Sequence, residues 1–141
     1  MILYLDTSAL VKLYVREAGS GEVKKLARES AALATSIVAY AEARAAFARL
    51  LREGVTVEKR HRERLKQFNA DWESFMRIEL GHAVARTAGE LAEAYALRGF
   101  DAIHLASALW LNDTSGGQLR FAAFDARLRT AAERAGLPVA V

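Results

Sequence analysis

Cysteine is absent from the 141-residue chain, which excludes disulfides, a thiolate zinc site and a thiol nucleophile. No apolar run reaches the ~18–20 residues that a membrane-spanning helix needs. The opening stretch, Met1 to Tyr14, lacks a basic segment ahead of its apolar residues and meets Asp6 early, so it does not read as a signal peptide. A reducing cytoplasmic location away from membranes fits these absences. Repeats, low-complexity tracts and linkers are also missing, and a large excess of either charge is missing too. The net charge is only +3, a mild basic surplus carried mostly by arginine, whose planar fork suits phosphates and carboxylates.

What is present is globular in type: 52% apolar and 26% charged residues, too apolar for whole-chain disorder. The length suggests one domain, residues 1–141, able to bury roughly two-thirds of the unfolded surface. Ile2 to Leu5 reads as a buried strand ended by Asp6-Thr7-Ser8. A helical stretch follows from Ala9 to Tyr14, and Ser20 is positioned to cap a second helix to about Arg28. Ala31 to Thr35 is a candidate strand. Ser36 opens an alanine-rich helix to about Arg52, and Thr56 a further helix over Val57 to Trp72. Met76 to Leu80 alternates like a half-buried strand. A helix from about Ala83 to Leu97 is closed by Gly99, and Asp101 caps the next, Ala102 to Leu111. Leu119 to Phe124 is a strand, Asp125 starts a helix to about Ala135, and Pro138 to Val141 forms a last short strand. Strands alternating with helices imply an α/β fold with a largely parallel sheet.

Open α/β sheets place ligands beyond the carboxyl ends of their strands. Asp6 and Asp125 each directly follow a strand; the plainer alternative is that each only caps a helix. Glu42 shares a helix face with Val38, Ala39, Ala45 and Ala46. A carboxylate on such a face is costly unless it pairs with a distant arginine or binds a metal. Asp101 opens a helix whose His104 lies one turn on, where a lone histidine reads as a hydrogen-bonded core residue. If the four acids converge, each pair of charges ~4 Å apart repels by about 4 kcal/mol at an effective dielectric near 20. Protons or cations must then be added. An all-oxygen donor set favours Mg²⁺ or Mn²⁺ over zinc, and such a cluster suits phosphodiester hydrolysis.

The blocks that carry these acids form a pattern. Tyr4-Leu5-Asp6-Thr7-Ser8-Ala9-Leu10, Ala41-Glu42, Gly99-Phe100-Asp101-Ala102-Ile103-His104-Leu105-Ala106 and Phe124-Asp125-Ala126-Arg127-Leu128 occur in order along the whole chain. Together they resemble a PIN domain, and in particular the VapC toxins of toxin–antitoxin pairs. That resemblance implies a three-layer α/β/α fold with a central, largely parallel sheet of five strands. It implies metal-dependent cleavage of RNA by Asp6, Glu42, Asp101 and Asp125 with Mg²⁺ or Mn²⁺. Ser8 matches a supporting hydroxyl of the family, or else caps its own turn. A homodimer and a VapB-like antitoxin, whose tail offers a basic group to the acids, are implied as partners. One departure stands out: many relatives carry Thr or Ser at the position of Ala123, two residues before the fourth acid.

Two other readings remain open at this level. The departure at Ala123 allows a PIN-like module that binds RNA or protein without cutting, and an Asp after the first strand allows a phosphoryl-accepting α/β protein. The basic run Lys59, Arg60, Arg62, Arg64 and Lys66 could meet RNA phosphates, but interspersed acids make a solvated face the simpler expectation. No general base is identified.

Overall fold

The computed structural model describes all 141 residues. Ile2–Leu5 (β1) leads through Thr7–Val11 (α1) and Ser20–Glu29 (α2) to Ala32–Ser36 (β2). Ala39–Arg52 (α3) and Glu58–Trp72 (α4) lead to Met76–Ile78 (β3); His82–Tyr95 (α5) and Gly99–Thr114 (α6) lead to Leu119–Ala122 (β4), and Ala126–Arg134 (α7) follows.

The strands pair in the order β3-β2-β1-β4, all parallel. Alternation along them divides the core in two, because successive side chains of a strand point to opposite faces. Leu3 and Leu5 face α1 to α4, packing with Leu10, Val23, Phe47, Phe68 and Trp72. Tyr4, Ala34, Phe121 and Leu119 face α5 to α7, packing with Leu105, Leu111 and Leu128. This is the three-layer α/β/α arrangement. No helix is long and apolar enough to cross a membrane.

The sheet has four strands rather than the expected five. Pro138 to Val141 contributes only a single parallel bridge, Val139 opposite Phe121. Phe121 donates to the Pro138 carbonyl and accepts from Ala140 N–H, both at 2.8 Å. Proline has no N–H for a ladder, and β4 ends one residue beyond Phe121, so the pairing cannot extend.

Helix boundaries differ from the sequence-based expectation at the caps of α2, α5 and α6. Gly99 does not close α5; Ala96 does, in the left-handed region at φ 53°, and Gly99 opens α6. Asp101 consequently lies inside the first turn of α6, with Arg98 at the cap position. Ser20 does not cap α2. Its hydroxyl accepts from Glu17 N–H and donates to the Val15 carbonyl, pinning the α1–α2 connection, and Gly19 (φ 90°) takes the cap position.

Two substitutions test this backbone. A Cβ at Gly19 would lie 2.7 Å from Phe124 Cε1, so Gly19→Ala is expected to cost about 1–3 kcal/mol from strain and overpacking. Ala96→Gly should stabilise by about 0.5–1 kcal/mol by relieving the left-handed alanine. Thermal melts of both variants check this; unchanged midpoints would contradict it.

Candidate active site

Strand order reverses beside β1: the chain runs from β1 outward through β2 to β3, then returns to place β4 on the other side of β1. The crevice beyond the carboxyl ends of β1 and β4 is therefore the switch point where open α/β sheets bind ligands. Asp6 leaves β1 and caps α1, its Oδ1 accepting from Ala9 N–H at 2.9 Å and from the Ser8 hydroxyl at 2.7 Å. Asp125 follows β4 and caps α7, its Oδ1 accepting from Leu128 N–H at 2.9 Å. Glu42 and Asp101 lie in the first turns of α3 and α6. All four acids thus sit at helix N-termini, where the helix dipole favours negative charge. All four line one cavity of about 340 Å³, together with Thr7, Ser8, Glu17, Arg98 and His104.

Ser8 joins the two strand ends: it donates to Asp6 and accepts from Phe124 N–H at 3.3 Å. Ala123 is fully buried in the core layer beneath α7, and Asp125 is anchored by its own helix without help from that position. Asp101 is paired with Arg98, Nε to Oδ2 at 3.2 Å.

Glu42 does not pair with an arginine. Its Oε1 accepts from the Thr7 hydroxyl at 2.5 Å and lies 3.0 Å from His104 Nε2. His104 is buried, and its Nδ1 lies 2.9 Å from the Tyr4 hydroxyl. Complete burial pushes Tyr4 well above its ordinary pKa, so the phenol stays protonated and pairs with Nδ1 as a neutral group. The other ring nitrogen, Nε2, faces Glu42 and the Thr7 hydroxyl, each at 3.0 Å. The chain Tyr4–His104–Glu42 therefore runs from the core to the cavity wall. The core reading of His104 holds, yet the ring also positions an acid.

Burial raises the carboxyl pKa of Asp6. His104, Ala9 N–H and the Ser8 hydroxyl work against that rise, and the nearby Asp101 adds to it. In Glu42 burial acts in the same upward direction, but the hydrogen bonds from His104 and Thr7 outweigh it and the net shift is downward. Two carboxylates ~7 Å apart at a dielectric near 20 still repel by about 2 kcal/mol. A helix N-terminus returns only about 0.3–1 kcal/mol to each, so the dipoles alone do not balance the cluster.

The donor set suits a hard divalent cation. The hydrogen bonds of Asp6 and Asp125 fall on Oδ1, and the ion pair of Asp101 falls on Oδ2. One oxygen of each is left without a protein partner, and there is no thiolate. No three of these side chains are close enough together to form a metal cage as they stand, and Glu42 and Asp101 are engaged by His104 and Arg98.

Thr7, Glu17, Arg98 and His104 are cavity residues that the sequence did not single out for chemistry. Thr7 had a signal, adjacent to Asp6 at a strand end. Glu17 had none; it reaches the cavity through the connection after α1, held by Lys12 at 2.9 Å.

These contacts set expectations for stability in the metal-free protein. An Asp whose folded pKa is raised opposes folding once ionised, so Asp6→Asn should raise the melting temperature at pH 7. The gain should vanish as pH falls below the ordinary carboxylate range. Glu42, shifted the other way, supports folding above its unfolded pKa and loses that support as pH falls through its folded pKa, so Glu42→Gln should lower the melting temperature at pH 7. His104→Ala strands the Tyr4 hydroxyl and opens a void, which should cost about 2–4 kcal/mol. Melts in EDTA between pH 3 and 8 measure all three, and the same sign for Asp6→Asn and Glu42→Gln would refute the electrostatic assignment.

Comparison with known proteins agrees with this architecture. The PIN domain family model matches residues 3–134. Ribonuclease VapC49 of Mycobacterium tuberculosis is 41% identical over 143 aligned positions, which span 99% of this chain and 94% of the relative. Among solved structures, the sarcin–ricin-loop-cleaving toxin VapC20 of M. tuberculosis superposes with a TM-score of 0.67 at 19% identity, covering 99% of this chain and 98% of its own. A toxin–antitoxin complex from Klebsiella pneumoniae gives 0.65 at 19% identity, covering 96% of this chain and 92% of the matched one. With four acids at the switch point of a parallel sheet, and a family match spanning nearly its whole length, the chain belongs to the PIN-domain family and to its VapC ribonuclease branch.

Proposed function

We propose that this protein is a metal-dependent endoribonuclease and the toxin of a VapBC-type toxin–antitoxin pair, acting in the cytoplasm as a single PIN domain. The observation that carries the reading is the convergence of Asp6, Glu42, Asp101 and Asp125 on one cavity at the sheet's switch point. The 41% identity to a protein named as a ribonuclease supports RNA as the substrate.

Asp6 and Asp101 would hold Mg²⁺ or Mn²⁺ directly, with Glu42 and Asp125 as direct or water-mediated ligands. A cation bound there supplies Lewis acidity toward the scissile phosphate and offsets the charge that develops on it. The protein's own contribution is positioning. Ser8 and Ala9 fix the rotamer of Asp6, Leu128 N–H fixes Asp125, and Thr7 with His104 fixes Glu42. Arg98, whose side chain is 81% exposed beside Asp101, is placed to meet a phosphate oxygen once a cation engages Asp101. The departure at Ala123 does not favour a non-cleaving module, since Asp125 keeps its anchor.

The antitoxin fits as a partner that closes the acidic cavity with a basic group, in keeping with the toxin–antitoxin complex among the structural relatives. A homodimer would cover apolar side chains that α6 leaves exposed, Phe100 and Trp110.

Purified protein should cut total cellular RNA into discrete fragments with Mg²⁺ or Mn²⁺ and not with EDTA. Asp6→Asn and Asp101→Asn should each lose on the order of 10²-fold or more of that activity while remaining folded. Mn²⁺ should raise the melting temperature of the wild type and raise that of the two variants less. Full cleavage by both variants, or cleavage undiminished in EDTA, would overturn the mechanism.

A further inference from the structure

The basic run of α4 separates into two groups in the folded chain. Arg62 pairs with Glu58 at 2.8 Å on the exposed side, and Lys59 is exposed as well. Arg60 and Arg64 instead join Arg16 and Lys24 around a cavity of about 450 Å³, walled by Tyr14 and Gln67, with no carboxylate in its lining. Arg64 is only 7% exposed. Its Nε donates to the Tyr14 carbonyl at 3.0 Å and its Nη1 to the Thr56 hydroxyl at 3.1 Å, both neutral acceptors, and no acid pairs with it. The Phe47 ring 5.7 Å away gives some cation–π compensation. Arg60 has one acid near, Glu63 at 3.8 Å, with both side chains more than half exposed.

A buried guanidinium without a counter-ion is costly, and burial together with Arg60 pushes Arg64 below its ordinary pKa. Four cations line this cavity with no carboxylate among them; Asp71 lies outside the lining, its two oxygens taken by the Tyr14 hydroxyl and Gln67 Nε2. The missing complement is an anion, and the arginine fork matches phosphate oxygens in geometry and charge. Position identifies which anion. One short segment between α1 and α2 serves both cavities: Glu17 faces the acids, whereas Leu13, Tyr14 and Arg16 face the cations. A polynucleotide crossing that segment can present one backbone phosphate to the acids and another to the cations.

We infer that the cavity of Arg16, Lys24, Arg60 and Arg64 is a subsite for a backbone phosphate of the RNA substrate, flanking the phosphate that is cut. The inference rests on the ribonuclease reading and adds where its substrate is held. Arg64 also ties α4 to the α1–α2 connection, so the test uses the two exposed arginines.

Binding of a fluorescein-labelled single-stranded RNA of mixed sequence is measured by anisotropy in EDTA, across a NaCl series, for the wild type and for Arg16→Ala/Arg60→Ala. The Kd should rise roughly tenfold, and the slope of log Kd against log salt should fall by about 1 to 1.5 for two lost contacts to a single strand. Lys59→Ala/Arg62→Ala, which removes the same charge from the other side of α4, should stay within about twofold of wild type, and melts should show all forms folded. Equal losses in both double variants, unchanged binding in Arg16→Ala/Arg60→Ala, or no RNA binding by the wild type would overturn the subsite. Binding of a poly-glutamate peptide that is lost in Arg16→Ala/Arg60→Ala while RNA binding persists would reassign the cavity to a protein partner, and so also overturn it. Cleavage of total RNA by the wild type is scored separately. Normal cutting with unaltered RNA binding in Arg16→Ala/Arg60→Ala sinks only the subsite; selective loss of RNA binding with no cutting by the wild type sinks only the nuclease reading.

Discussion

Mutual repulsion among the carboxylates of Asp6, Glu42, Asp101 and Asp125 governs how the residues around them are arranged. The fold gathers these charges because the helices that follow β1, β2 and β4, together with α6, all begin at the same edge of the sheet. Each N-terminus contributes free N–H groups and a favourable dipole. The dipoles offset only part of the repulsion, so neutral donors, one imidazole and one arginine take up much of the remaining acceptor capacity. What is left over is one unpartnered oxygen on each of Asp6, Asp101 and Asp125, which the proposed divalent cation would engage.

The supports are not equivalent, and the difference has chemical consequences. Asp6 is held by short local bonds from Ser8 and Ala9 but is almost wholly removed from water, so its ionised form is strained. Glu42 is only partly exposed and over-supported, by Thr7 and by a histidine that is itself paired with a buried tyrosine. Asp101 is held by the end of an exposed arginine, a contact that a cation or phosphate can displace at small cost, since such surface pairs are worth about 1 kcal/mol or less. The strained acid and the loosely held acid therefore lie in the same cavity, an arrangement that suits the proposed uptake of a cation followed by an anionic substrate.

Much of this was legible in the sequence, for identifiable reasons. Asp6 and Asp125 immediately follow apolar strands, and a strand end followed by a cap residue has few structural interpretations. The apolar face around Glu42 marked it as needing a partner, but sequence alone could not show that the partner comes from α6, sixty-two positions away. His104 reads as a core residue because its neighbours are apolar; only the folded chain shows that one ring nitrogen faces Tyr4 and the other the cavity. The expected fifth strand does not form: Pro138 to Val141 has strand-like composition, but a missing N–H and the early end of β4 reduce it to a single bridge. The misplaced helix start at Asp101 has a similar cause, since glycine is the expected left-handed terminator and here Ala96 takes that role. The split of α4 into a paired face and a cationic cavity depends on which neighbours pack against it, which its periodicity does not encode.

The central claim is that these carboxylates share one cation-binding cavity. Anomalous diffraction from crystals grown or soaked with Mn²⁺ tests it most directly. The account predicts a peak inside the cavity within coordination distance of Asp6 and Asp101 oxygens, with Arg98 displaced from Asp101 and the Tyr4–His104–Glu42 chain intact. A peak coordinated by His104, a peak outside the cavity, or none at saturating Mn²⁺ would contradict it.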